Sequence, residues 1–124
     1  MASTGLKGPH PLTTQGIDYN VTRTSPGVYV LGYTREGNIF IVKYVGRSDN
    51  NLNDRLKKWV GKGYQEFKFG YSDSPKAAFE KECTIYHDFG GPEGNLDNEK
   101  HPQRPEGSNW QCPKCGTFKS NWSW

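Results

Sequence analysis

The sequence predicts an α+β fold: a small antiparallel sheet of three strands flanked by helices, in the order β-β-α-β-α, with a zinc-stapled C-terminal extension. Three observations predict it. Two β-branched and aromatic runs flank a short glycine-containing turn, the pattern of a hairpin. Two later segments carry apolar residues at helical spacing, with an alternating run between them. Two of the three cysteines form Cys112-Pro113-Lys114-Cys115, the spacing of a metal knuckle.

Residues 1–25 are rich in Thr, Gly and Pro and have no period, so they read as an N-terminal arm. Pro26-Gly27 marks the first strand, which carries Val28, Tyr29, Val30 and Leu31. Residues 34–38 form a turn, and residues 39–45 a second strand. Asp49, Asn50 and Asn51 offer helix N-caps. Leu52, Leu56, Trp59 and Val60 then form a helical stripe that Gly61 and Gly63 end. Phe67, Phe69 and Tyr71 alternate with polar residues or glycine, as in a half-buried strand. Ser74-Pro75 starts a second helix, with Ser as cap and Pro in the first turn. Gly90-Gly91 ends it. The core is therefore residues 26–91, and residues 92–124 form a loop and zinc knuckle packed on that core.

With 124 residues the chain has room for one core. Leu, Ile, Val and Phe number only 22, so that core is thin and calls for a staple. A net charge of +3 is too small to support disorder by self-repulsion. No stretch approaches the roughly 18 apolar residues of a membrane span. Residues 1–8 lack the apolar core of a secretory signal, and the odd cysteine count argues against a disulfide framework. An intracellular, cytoplasmic protein with no membrane partner is expected. Residues 1–64 carry nine Lys/Arg against four Asp/Glu, a basic half that suits an anionic partner or is ordinary surface charge.

On the second helix, at about 100° per residue from Ala78, Glu82 falls near 40° and Glu80 near 200°. Ile85, Phe89, Tyr86 and Phe79 bracket Glu82, so it lies in the apolar stripe, while Glu80 faces away. A carboxylate buried there is paired with Arg or Lys, or it is a metal ligand or catalytic group. Cys83 and His87 sit one turn apart on the flank of the stripe. With Cys112 and Cys115 they make a Cys3His set suited to tetrahedral zinc, with His101 as the alternative fourth ligand. The bland alternatives are a small core cysteine and a surface or capping histidine.

Gly27-Val28-Tyr29 opens the first strand and Tyr44-Val45-Gly46 closes the second. Arg55 follows on the first helix and Glu82 on the second. In these residues and in element order, the stretch from Pro26 to Glu82 resembles the GIY-YIG nuclease superfamily. The resemblance implies a divalent-metal-dependent endonuclease that hydrolyses phosphodiester bonds in nucleic acid, DNA in preference to RNA. It implies that Glu82 holds a hydrated Mg²⁺ or Mn²⁺, that Arg55 clamps the phosphate, that Tyr29 is the general base and that Tyr44 positions the water or the phosphate. Asn98, favoured over Asn95, would tie the site together.

The chain departs from the family pattern at Trp59, where many members carry a His or Tyr that helps move the proton. Lys58 stands as the substitute. Arg47, Lys57 and Lys62 are candidate phosphate contacts, and solvated helix charge is the plainer reading of each. A protein partner or a second copy would supply specificity. Two rival readings remain. The same fold could bind nucleic acid or a protein without cutting. A structural zinc protein with coincidental matches predicts Glu82 paired to Arg or Lys.

Overall fold

A computed structural model of the chain describes residues 5–90, 96–98, 102, 110 and 112–113. The described residues form β1 (Lys7–Pro11), α1 (Thr14–Asn20), β2 (Gly27–Arg35), β3 (Ile39–Ser48), α2 (Leu52–Lys57), β4 (Glu66–Tyr71) and α3 (Pro75–Asp88). The class is α+β, as expected. The sheet has four antiparallel strands in the order β1-β4-β2-β3, not three. The helices lie on both faces. α2 packs on β2 and β3, and α1 on α2 and β1, while α3 packs on β2 and β3 from the other side.

The N-terminal segment is therefore part of the fold rather than an arm. Its strand pairs with β4 at the sheet edge, where Pro9 and Pro11 cost no ladder bond in a neighbour. Thr13 caps α1 by accepting from the Gly16 N–H at 2.9 Å. Leu12, Ile17 and Val21 are all buried in the core under α1 and α2. A helix of seven residues offers too few turns for its period to show.

The hairpin of β2 and β3 turns through Gly37 and Asn38, both at positive φ. The α2 helix is shorter than its apolar stripe suggests. It stops at Lys57, and Trp59 and Val60 continue inward through a turn. The α3 helix starts on the Ser74 cap as expected, with Ser74 Oγ accepting from the Ala77 N–H at 3.1 Å.

Two glycines explain why the paired tripeptides carry them. Tyr29 lies opposite Gly46 in the ladder, and its ring crosses Gly46 closely. A Cβ at Gly46 would stand 2.4 Å from the Tyr29 hydroxyl. A Cβ at Gly27 would stand 2.6 Å from the Gly70 carbonyl and 2.8 Å from Leu52. Neither position has room for a side chain.

Because Ile17 is wholly buried, Ile17→Ala is expected to destabilise the fold by about 2–5 kcal/mol in urea denaturation. A loss under about 0.5 kcal/mol would mean that the segment is a dispensable arm after all.

Candidate functional site

The four residues expected to carry catalysis lie around the C-terminal half of β3. Tyr29 on β2 and Tyr44 on β3 pack in the α2-side core, where Arg55 is exposed on α2. Glu82 reaches the same part of β3 from α3, on the opposite face. The strand between them presents only the hydrogen of Gly46 toward Tyr29. The charges of Arg55 and Glu82 both act on Tyr29 and on Tyr44, so the four groups share one electrostatic environment.

Glu82 is 7% exposed, while Glu80 is only half-buried, as the helix-face reading expects. Glu82 Oε1 accepts from Arg47 Nη1 at 2.7 Å. Arg47 Nε also donates to Asp49 Oδ1 at 2.8 Å, and its guanidinium lies 5.2 Å from the Phe79 ring centroid. Arg47 is thus a partner of Glu82 rather than an exposed phosphate contact. The carboxylate lies in the apolar stripe, and Arg47 is the cation that offsets its burial. Among the described residues Glu82 makes no other hydrogen bond.

Tyr29 is 2% exposed. The Trp59 indole N–H donates to its hydroxyl at 2.8 Å. Burial pushes the Tyr29 phenol up and Tyr44 adds to it, against the Trp59 hydrogen bond and the Arg55 charge. Tyr44 is also raised, by burial and then by Glu82, with Arg55 opposing. Tyr44, Trp59 and Tyr64 form an aromatic cluster, with the Tyr44 and Trp59 centroids 4.5 Å apart.

Asn98 clamps β3 at the residue between Tyr44 and Gly46. Its Oδ1 accepts from the Val45 N–H at 2.9 Å, and its Nδ2 donates to the Val45 carbonyl at 2.8 Å. The Asp97 N–H donates to the Lys43 carbonyl, and Tyr64 donates to the Asp97 carboxylate at 2.8 Å. Residues 96–98 therefore cover part of an otherwise open sheet edge.

Of the remaining candidates, Lys57 pairs with Asp18 at 2.7 Å, and Lys58 and Lys62 are exposed. Cys83 and Cys112 lie side by side within hydrogen-bonding reach, in a buried cluster with Phe79 and against Trp110. Burial and the neighbouring Cys112 push the Cys83 thiol up. A soft cation would reverse that preference and deprotonate both. His87 follows Cys83 by one turn of α3. Cys115 and His101 lie outside the described residues. No group of three His, Cys, Asp or Glu side chains forms a metal cage among the described residues. No helix among them is long and apolar enough to cross a membrane.

Sequence reasoning missed two contacts. Arg47 was the available cation for Glu82, because it alternates onto the α3 face of β3, directly opposite Val28. Trp59 belonged to the apolar stripe, which concealed that its N–H would need a polar partner.

Comparison with known protein families, curated proteins and solved structures finds no match to this chain.

Burial pushes the Glu82 carboxyl up to about 7, against the pull of Arg47. Its ordinary value is 4.5, so the folded state holds the proton more tightly than the unfolded one. The stability this confers is fully present below about pH 4.5 and is lost as pH rises through about 7. In metal-free buffer, Glu82→Gln is expected to gain about 2–3 kcal/mol on wild type between about pH 4 and about pH 8. A difference between the two proteins' urea midpoints that does not change with pH across that range would show that Glu82 ionises without cost.

Proposed function

We propose that this protein is a divalent-metal-dependent endonuclease of GIY-YIG type, which hydrolyses phosphodiester bonds in nucleic acid, DNA in preference to RNA. The observation that supports the reading is that two phenols, a guanidinium and a buried carboxylate lie within electrostatic reach of one another around the C-terminal half of β3.

In this reading Glu82 would hold a hydrated Mg²⁺ or Mn²⁺. A divalent cation there supplies positive charge to the scissile phosphate and the leaving oxygen. Arg55 is exposed and uncommitted to a carboxylate among the described salt bridges. Its planar fork suits two phosphate oxygens, and its charge stabilises the charge that develops on them. Water attacks phosphorus and its proton passes to Tyr29. Tyr29 can serve as base only as the phenolate, which a divalent cation and Arg55 would favour against its burial. Tyr44 positions the water or the phosphate. The bond from phosphorus to the leaving sugar oxygen breaks, and that oxygen takes a proton from solvent. The phenols are held in place from behind: Trp59 grips Tyr29, and Asn98 fixes the backbone beside Tyr44. Exposed Lys58 and Lys62 supply contacts to neighbouring phosphates that do not depend on sequence.

Zinc is assigned a structural role in the same reading. Cys83 and Cys112 supply two thiolates from their shared buried cluster. Cys115 completes the cysteine set, with His87 or His101 as fourth ligand. The ion would pin the C-terminal extension to α3. Cytoplasmic location and a protein partner or second copy that supplies specificity belong to this proposal too.

Both rival readings have an observation in their favour. The Arg47–Glu82 ion pair satisfies Glu82 without a metal, as a structural zinc protein predicts. Trp59 stands where a proton-transfer residue is expected, which suits a binding module on the same fold.

The test is cleavage of supercoiled plasmid and of labelled single and branched strands with Mg²⁺ or Mn²⁺. Wild type and Glu80→Ala should cut, and Glu82→Ala should lose at least about 100-fold in rate. The same purified wild type should carry one zinc per chain, and Cys112→Ser should not. Zinc-loaded, folded wild type that binds DNA without cutting it would establish the binding module instead.

A further inference from the structure

Phe79, Glu82 and Cys83 stand within about one turn of each other on α3. Glu82 belongs to the site described above and Cys83 to the buried cysteine cluster, so the two places share one stretch of helix. Phe79 is wholly buried and reaches both. The Arg47 guanidinium lies 5.2 Å from its ring centroid, and Arg47 is the residue that meets Glu82 at 2.7 Å. The Trp110 ring lies 6.0 Å from the same Phe79 ring, and Cys83 and Cys112 pack with it. Trp110 and Cys112 come from the C-terminal extension, far beyond the end of α3 in sequence. Contacts therefore run from Trp110 through Phe79 and Arg47 to the Glu82 carboxylate.

Arg47 is held in two ways. Glu82 and Asp49 accept from it at 2.7 and 2.8 Å and hold the edge of its guanidinium. The Phe79 ring beside it also holds its plane. A displaced ring would turn that plane against both carboxylates. A wholly buried ring moves only with its neighbours, because a packed interior leaves little slack. The charges of Glu82 and Arg47 also act on the Cys83 thiol, the first raising it and the second lowering it, so the two places lie within electrostatic reach.

We propose that Phe79 is a positioning residue that carries the seating of the C-terminal extension, through Trp110 and the cysteine cluster, to Arg47 and so to the Glu82 carboxylate. The extension is then part of the site rather than a staple alone, and zinc at the cysteine cluster adjusts the Arg47–Glu82 pair. The proposal rests on the nuclease and zinc readings for what the pair and the cluster do, while the contacts themselves stand without either.

The test reads both ends of this chain of contacts by nuclear magnetic resonance on ¹⁵N-labelled full-length protein. The Arg47 Nε–H, slowed in exchange by its bond to Asp49, is assigned by its loss in Arg47→Lys. The Trp110 indole N–H is assigned by its loss in Trp110→Leu. The Trp59 indole N–H, assigned by its loss in Trp59→Phe, belongs to the other core and reports general loosening. In Trp110→Leu and in Phe79→Leu the Arg47 signal should move and exchange with water at least about 5-fold faster. The double variant should match Phe79→Leu alone, because the effect of Trp110 passes through Phe79. The Trp59 signal should stay in place in all three. In the reverse direction, Arg47→Lys should move the Trp110 signal. Zinc added to metal-free protein should move the Arg47 signal in wild type but not in Phe79→Leu.

An Arg47 signal left in place by Trp110→Leu would overturn the proposal. So would additive effects in the double variant, a Trp59 signal that moves in step, or a zinc response kept in Phe79→Leu. If Trp110→Leu does not fold, a Trp110 signal unmoved in Arg47→Lys overturns it instead. Zinc that does not bind, or wild type that cuts no substrate, refutes the corresponding reading, and the Arg47 and Trp110 signals still decide the role of Phe79.

Discussion

A carboxylate in an apolar stripe is the constraint around which this molecule is arranged. Glu82 comes to the sheet edge on the face of α3 that also buries Ala78 and Ile85 against β2 and β3. Docking that helix for its apolar contacts therefore takes Glu82 out of water. Arg47 meets it from β3, with its own charge shared with Asp49 and its flat group stacked near Phe79. Removing one partner of such a pair leaves the other charge buried, so helix and strand are bound to a single relative placement.

The rest of the site follows from β3 being an edge strand. An edge lets side chains from both faces approach one point around it. Gly46 makes that approach close, since the Tyr29 ring occupies the space a side chain would need. The two residues that hold the phenols act at different depths. Trp59 reaches Tyr29 inside the core, while Asn98 uses its amide as a short piece of strand against Val45 outside it. Backbone pairing, aromatic packing and charge all fix the same few residues, and sites of that kind keep their geometry when a ligand arrives.

Much of this was legible in the sequence. The hairpin, the alternating β4 strand and the Ser74-Pro75 helix start each carry a local signal of their own. The angular separation of Glu82 from Glu80 needed only the helical period, and the structure buries the one and leaves the other half-exposed. Asn98 came from the family resemblance and lies directly against the strand between the tripeptide tyrosine and glycine. What was not legible depends on long-range contacts. The β1 strand is held by β4, more than fifty residues away, and its prolines suppress every local strand signal. The identity of the cation facing Glu82 depends on the β3 register, and the donor to Tyr29 depends on where a short helix ends. Cys83 meets Cys112 through the tertiary fold, while Cys115 and His101 of the expected metal set lie outside the described residues.

The most direct test of the role given to Glu82 is binding of Mn²⁺, read by electron paramagnetic resonance on zinc-loaded protein without nucleic acid. Wild type and Glu80→Gln are expected to bind one Mn²⁺ with equal affinity, and Glu82→Gln to lose it. Equal binding by all three proteins, or none by folded wild type, would contradict that role and leave Glu82 as the structural partner of Arg47.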